Sequence, residues 1–467
     1  MSIVQDLKDK IGFNQSFDFT ERVLKNNNHS VTILYNSFLT DSLVILKLLE
    51  DFNNIQEIID KHNFIKIMNN TYSAQSLFES NSINELTDHL FNGDLVIIYD
   101  DELPGIYIDT KNYPSRSLQE PDSEKVVRGS RDGFTENLSN NIALLRRRIK
   151  DGNLVLKLYE VGTISKTKVV LTYLDDVIKK ETKEEIMKRL DTLKVKELTL
   201  TDKALEELLV NNVLSPYPLV KYTERPDTLA MHLYQGMFGI MVDTSPSAIL
   251  GPVSVFDHLQ HAEEFRQTVI AGTYLRIIRF LGIVCAFFSI PLWLALISMN
   301  VVVPGLESFF TPDNNYHSLF IQLFIALIGI ELIRMASIHT PTALSTSMGL
   351  ISGIIIGDMA IKVGLVSEQV VILSAISAIG SFITPSYELS LASKMANLVL
   401  TILVYLFKMP GFIIGTLLII LHLACLKSFK RPYLYPLIPF NLKDLVKQMV
   451  RIPYKQKEKI KIPKQKE

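Results

Sequence analysis

The chain has 467 residues, with 48 Lys and Arg against 49 Asp and Glu and a formal net charge of −1. That length allows two or three domains, and the balanced charge gives no reason to expect a nucleic-acid partner. The average hides a division. Charges are frequent up to about Arg266 and rare from about Ile277 to Leu426, and the remainder is basic. The expected fold class is an α/β soluble N-terminal region of two small mixed α/β subdomains, followed by an all-α multi-span membrane domain.

In chain order, MSIVQDLKDKIGFNQ has no basic segment leading into an apolar one, so no cleaved signal peptide is expected. Residues 1–115 form the first subdomain. In it VTILYNSF (Val31–Phe38) reads as a strand and SLVILKLLEDF as a helix, and Asp94–Thr110 as two strands about a turn at Pro104-Gly105. Asn112–Ser123, rich in Pro, Ser and Asp, reads as a linker. The second subdomain, residues 124–214, has a helix over Thr135–Ile149, a hairpin of LVLKLYEV and KVVLTYL, and a charged helix near Thr182–Leu193. Residues 215–275 read as a connector and juxtamembrane region, 276–426 as the membrane domain and 427–467 as a basic cytoplasmic tail. No Walker-type loop, GxSxG or HExxH occurs, and no nucleophile, base and orienting group come together. An enzyme is therefore the least expected class, and no cofactor is expected.

Clustered guanidinium groups at Arg128, Arg131 and Arg146–Arg148 suit anionic lipid or phosphate. The competing reading is ion pairing within the chain or between subunits, with Asp132 and Glu136 near at hand. His258 and His261, three apart on an expected helix, read as part of a polar juxtamembrane helix rather than a metal site. Cys285 and Cys425, the two cysteines, lie in apolar runs and read as buried thiols.

Ile277–Val303 reads as a first span kinked at Pro291, with Arg266, Arg276 and Arg279 ahead of it. That places the N-terminal region in the cytoplasm by the positive-inside rule. Ser318–Met335 returns inward with Glu331 and Arg334 three apart, able to pair on one face as a charged vestibule or as a paired strut. His339–Gly364 crosses outward. At about 100° per residue Thr342, Ser345, Thr346, Gly349, Ser352, Gly353 and Ile356 share one face, opposite Leu350 and Ile354. Such a small, hydroxylated stripe either packs against neighbouring helices or lines water. Asp358, about 160° from the stripe, is a candidate mouth charge that also has Lys362 at i+4. Gln369–Leu389 comes back in, broken late at Thr384-Pro385. Ala396–Leu426 reads as two segments joined by a bend at Lys408–Gly411, either two crossings or a re-entrant pair. The lysine-rich end favours anionic membrane lipid.

Three long motifs make the chain recognisable. VVRGSRDGFTENLSNNIALLRRRI (Val126–Ile149), SPYPLVKYTERPD (Ser215–Asp227) and GIMVDTSPSAILGP (Gly239–Pro252) resemble the signature of the GerA family of spore germination proteins, A-subunit branch. FDHLQHAEEFR (Phe256–Arg266) departs from the segment most A subunits carry there. With LIRMASIHTPTALSTSMGLI and KRPYLYPLIPFN it looks like the sub-branch named for stage V of sporulation. Direct nutrient sensing is therefore not carried over. The resemblance marks Arg128, Gly129, Arg131, Asp132, Gly133, Glu136, Arg146, Arg147, Arg148, Glu224, Arg225, Pro226, Asp243 and Pro246 as motif residues with structural or interface roles. It implies a homo-oligomer acting as a cation channel in the spore inner membrane, with companion membrane subunits, one transporter-like and one a lipoprotein. The alternatives are a secondary transporter and a non-conducting scaffold.

Overall fold

The computed structural model describes residues 2–451 apart from 27–28, 55–60, 62–63, 65, 67–76, 114–123, 125, 127–128, 211–214, 306, 313–314 and 340–358. The chain forms two compact units, Met1–Val213 with Val220–Pro252, and Leu214–Leu219 with Val253–Glu467.

The first unit holds two five-stranded sheets. The first is built from α1 (Ile3–Ile11), β1 (Phe19–Asn26), β2 (His29–Asn36), α2 (Ser42–Asn54), β3 (Leu77–Ser80), α3 (Ile83–Asn92), β4 (Leu95–Tyr99) and β5 (Glu102–Ile108), in strand order β1-β2-β4-β5-β3. Alternate residues point to opposite faces of a strand, and here both faces are covered. Val31, Ile33, Leu95, Ile97 and Ile106 pack with Ile45 and Leu48 of α2. Leu34, Val96 and Ile98 pack with Leu7, Ile11, Leu86 and Leu90 of α1 and α3. This is why LVIIY in β4 is apolar throughout and buried throughout.

The β4–β5 turn is not at Pro104-Gly105. It lies at Asp100 and Asp101, both at positive φ, the two-residue geometry whose twist suits a hairpin and which Asp tolerates. Pro104 and Gly105 sit inside β5. Proline is accommodated because β3 begins pairing with β5 only at Gly105 and the β4 register shifts between Ile97 and Tyr99.

The second sheet comprises α4 (Leu138–Arg148), the hairpin β6 (Leu154–Val161) and β7 (Thr167–Leu174), α5 (Lys180–Asp191), α6 (Thr201–Leu209), β8 (Lys221–Thr223), α7 (Pro226–Leu233), β9 (Phe238–Val242) and β10 (Ala248–Gly251), in order β6-β7-β9-β10-β8. Strands β8–β10 come from the stretch expected to be a connector; without them the β7 edge would be unpaired. Every pairing in both sheets is antiparallel, and four of them are hairpins closed by short turns, β1–β2, β4–β5, β6–β7 and β9–β10.

The second unit contains α8 (Val255–His258), α9 (Ala262–Arg266), α10 (Val269–Ser298), α11 (Glu307–Phe310), α12 (Tyr316–His339), α13 (Glu368–Ile383), α14 (Tyr387–Cys425), the short ribbon β11 (Lys427–Ser428) and β12 (Arg431–Pro432), and α15 (Leu442–Met449). Among the described residues Val269–Ser298, Tyr316–Ala336 and Tyr387–Cys425 are long and apolar enough to cross a membrane, the last of them being two helices joined at Lys408. The expected span Gln369–Leu389 is instead the shorter α13. It stops at Thr384, whose extended backbone suits a residue before proline. Ser386 then caps α14, accepting from the Leu389 N–H at 3.3 Å, so α14 starts nine residues before the expected Ala396.

The bend expected at Lys408 is present and sharp. Lys408 has φ 56°, and past it the chain returns along itself, with Gly411 against Leu403 and Gly415 against Leu400. A Cβ at Gly411 would come within 2.2 Å of the Leu403 carbonyl oxygen, so the reversal needs glycine there. Cys285 and Cys425 are exposed on helix surfaces rather than buried.

A polar node holds the helix core. Pro291 cannot donate to the Phe287 carbonyl, the i−4 acceptor in α10. Asn397 of α14, 1% exposed, supplies the missing donor, reaching the Ala286 and Phe287 carbonyls at 2.7 and 3.1 Å. Ser377 of α13 donates to Ala286 at 3.0 Å. Freed backbone groups in apolar surroundings are re-satisfied by neighbouring helices in this way. Asn397→Leu in the full chain should therefore cost about 1–3 kcal/mol, read as the thermal midpoint in detergent. In a Pro291→Ala background, where the helix re-forms its own bond, the cost should shrink; equal costs in both backgrounds would show that Asn397 acts by packing alone.

Candidate functional site

In the first unit the motif residues 126–149, 220–227 and 239–252 meet at one corner of the second sheet. The α4 helix begins at Asn137, whose side chain accepts from the Ser139 and Asn140 N–H groups. Its three C-terminal arginines diverge. Arg146 is wholly buried and bound to Asp18 at 2.8 and 3.1 Å, Arg148 binds Asp132 at 2.6 and 2.7 Å, and Arg147 lies over the Tyr113 ring at 4.4 Å. A buried Arg146 does not meet a lipid surface, so the intrachain pairing reading holds for Arg146 and Arg148, with Asp18 as a partner the sequence did not suggest.

Arg225, also wholly buried, binds Asp227 at 3.0 and 2.9 Å and donates to the Ser130 carbonyl at 2.8 Å. Pro226 opens α7, where a missing N–H costs nothing. The Glu224 carbonyl accepts from the Phe134 N–H at 2.7 Å and the Glu136 carbonyl from Thr244 N–H at 2.9 Å. Asp243 accepts from the Leu138 N–H at 3.4 Å. Gly129 and Arg131 are exposed, Gly133 is buried, and Pro246 is exposed in the β9–β10 turn. Arg128 lies outside the described residues. Glu124, joined to Thr223 at 2.6 Å, has its carboxyl pushed above the usual range by burial, against the pull of Lys221. This corner is a clamp between motifs, held by Arg225, Arg148 and the backbone bonds of Glu224 and Glu136.

In the second unit the departing segment 256–266 forms a junction beside the first spanning-length helix, α10. Its expected single helix is two. His258 ends α8, whose N-cap Ser254 and Asp257 form a reciprocal capping box, and His261 begins α9 by accepting from the Glu263 N–H at 3.2 Å. The two histidines are thus separated by a break. Glu264 is fully buried and holds both Arg276, at 2.6 Å, and Arg279. Asp257 pairs with Arg431 at 3.2 Å, and Ser428 donates to the Leu219 carbonyl at 2.6 Å and accepts from the Val253 N–H at 3.0 Å. The segments SPYPL and KRPYLYP therefore meet, with Tyr433 wholly buried and Tyr217 nearly so. Burial pushes the Tyr217 phenol up to about 12.

Among the expected pore-mouth charges, Glu331 and Arg334 are paired, and Lys394 of α14 adds a second cation to Glu331 at 3.0 Å. Arg334 also lies over Tyr387 at 5.1 Å and Lys394 over Phe382 at 5.4 Å. The cluster ties α12 to α13 and α14, which favours the strut. Lys394 was missed; a lone lysine inside an apolar run, needing a carboxylate, was the available signal. Asp358 and the stripe Thr342, Ser345, Thr346, Gly349, Ser352, Gly353 and Ile356 lie outside the described residues.

The family model described as Bacillus/Clostridium GerA spore germination protein matches residues 5–462. Stage V sporulation protein AF of Bacillus subtilis (strain 168) is 42% identical over 448 residues, 95% of this chain and 90% of that protein. Spore germination protein XA of Bacillus anthracis is 30% identical over 87% of this chain and 83% of its own. The N-terminal domain of the A subunit of the Bacillus megaterium spore germinant receptor GerK3, a solved structure, is 26% identical at a TM-score of 0.40, covering 53% of this chain and 92% of that one.

Proposed function

The chain belongs to the GerA family of spore germination proteins, and from that premise we propose that it is the membrane-embedded subunit of an oligomeric ion channel acting in germination. Its work is to release monovalent cations, and it has no enzymatic activity. It lies in the spore inner membrane with both termini on the core side and has companion membrane subunits. Its basic tail rests on anionic lipid.

The stripe Thr342–Ile356 carries this reading. If the sequence stripe is helical, one copy cannot enclose a water path, but a ring of copies can. The helices Tyr316–Ala336 and Tyr387–Cys425 support it, since only 17% of the apolar window in each is buried by the chain itself. Both leave wide faces for lipid or for neighbouring copies. With Glu331 engaged by both Arg334 and Lys394, selectivity falls to hydroxyl and carbonyl dipoles of the stripe.

The test uses single cysteines in a chain from which Cys285 and Cys425 have been replaced. Positions Ser345, Gly349, Ser352 and Ile356 should react with a water-borne thiol reagent, and Leu350 and Ile354 should not; uniform protection of both faces overturns the pore. Liposomes holding the purified protein should leak monovalent cations. A monomer without flux favours the scaffold, and gradient-driven solute uptake favours a transporter.

A further inference from the structure

The C-terminal helix α15 has no role in the channel reading. Asn441 caps its start by accepting from the Asp444 N–H at 3.2 Å. Its end is held by α10: Arg276 donates to the Lys447 and Gln448 carbonyls at 3.2 Å each and to Val450 at 3.5 Å. These are carbonyls that a helix terminus leaves without intrahelical donors, and a cation there also suits the helix dipole. The Arg451 N–H donates to Thr273 Oγ1 at 3.1 Å. The helix is thus clamped to the first turns of a spanning-length helix, at the level where α10 would enter a bilayer.

One edge of α15, with Gln448 and Met449, closes a small cavity with Phe256, Leu259 and Phe280. The adjoining face is open. Leu442 and Val446, about 40° apart at helical spacing, are 61 and 49% exposed, and Val450, just past the helix end, is 40% exposed. The loop before the helix adds exposed Leu437, Ile438 and Phe440. Lys443 borders this face and is exposed, with Lys447 next, paired to Asp444 at 2.8 Å. The sequence that follows, 452–467, has six lysines against two glutamates.

An apolar face edged by lysines, fixed beside a spanning helix, has the composition of an interfacial helix. We propose that α15 lies in the headgroup layer of an anionic bilayer, with Leu442, Val446 and Val450 among the acyl chains and Lys443 at the phosphates. The proposal rests on the membrane reading of α10, and it assigns the lipid contact to a folded element as well as to the tail. Anchored so, α15 carries the position of the surface through Arg276 to Glu264 and the junction.

The experiment uses the full chain with Cys285 and Cys425 replaced and a single Val446→Cys bearing an environment-sensitive fluorophore. It is reconstituted in vesicles of phosphatidylcholine alone or mixed with phosphatidylglycerol, with spin labels near the headgroup. A Leu417→Cys label on α14, 61% exposed in the isolated chain, reports on the membrane reading through deep spin labels. With phosphatidylglycerol the 446 label should shift to the blue and be quenched by the shallow spin labels, and Lys443→Glu should weaken both responses. Water-like emission at 446 with a quenched label at 417 overturns this proposal and leaves the membrane reading standing. An unquenched 417 label overturns both. A 446 label that is shifted but unquenched means a protein covers the face, and equal responses in both vesicles remove the anionic requirement; each overturns the assignment.

Discussion

Glu264→Ala should destabilise the second unit by about 3–5 kcal/mol, the cost of removing one partner from a buried ion pair. Glu264 is fully buried, and Arg276 and Arg279 are 8 and 14% exposed at the side chain. Taking the carboxylate away leaves two guanidinium groups in a poorly solvated place. Arg276 would keep its bonds to the α15 carbonyls, which lack the charge to replace a carboxylate. Glu264→Gln retains the shape and one acceptor and should fall between the alanine variant and the parent. The single tryptophan, Trp293, sits in the same unit and is 3% exposed, so its fluorescence on heating in detergent reads the loss directly. A cost below about 1 kcal/mol, the range of exposed pairs, would show that water reaches Glu264 and that the junction is open.

Asp18→Ala should cost the first unit a comparable amount, about 3–5 kcal/mol. Asp18 and Arg146 are both wholly buried, and they join the two sheets. Arg146 also donates to the Asp151 and Leu154 carbonyls at 2.9 and 3.1 Å, and Ser16 Oγ accepts from the Leu156 N–H at 3.1 Å. Close by, a Cβ at Gly152 would meet the Lys10 carbonyl oxygen at 2.0 Å, so the two subdomains touch backbone to backbone. The double variant Asp18→Leu with Arg146→Met should recover much of the loss, because replacing a whole buried pair by apolar groups is often neutral. Proteolysis between the sheets would report the same thing, with Asp18→Ala cut faster than the parent and the double variant protected. Equal loss in the single and double variants would mean that the carbonyl bonds of Arg146, rather than its charge, hold the joint.

The strand pair LVLKLYEV and KVVLTYL was legible because its alternation and its turn are local. The break at Lys408 was legible because Pro410 and Gly411 announce it. β1 was missed: FTERVLKN has few apolar residues, and its place is set by full pairing with β2. The turn between β4 and β5 was misplaced because Pro-Gly is the stronger local turn signal, and only the late start of β3 lets proline sit inside the strand. Strands β8–β10 were read as connector because each is 3–5 residues long, too short for a period to register.

Composition and hydrophobic periodicity alone determined that this protein has an α/β half and an apolar helical half, and its long motifs alone placed it in its family. These are properties of local order along the chain, and they survive without knowledge of contacts. Only the tertiary structure decided which charges meet. Asp18 binds Arg146, Glu264 binds Arg276 and Arg279, Glu331 binds Lys394, and Asn397 repairs the gap left by Pro291. The partners in these pairs are 12–128 residues apart. A buried charge or an orphaned carbonyl needs a partner somewhere, but its chemistry does not say where in the chain that partner lies. The fold supplies the place.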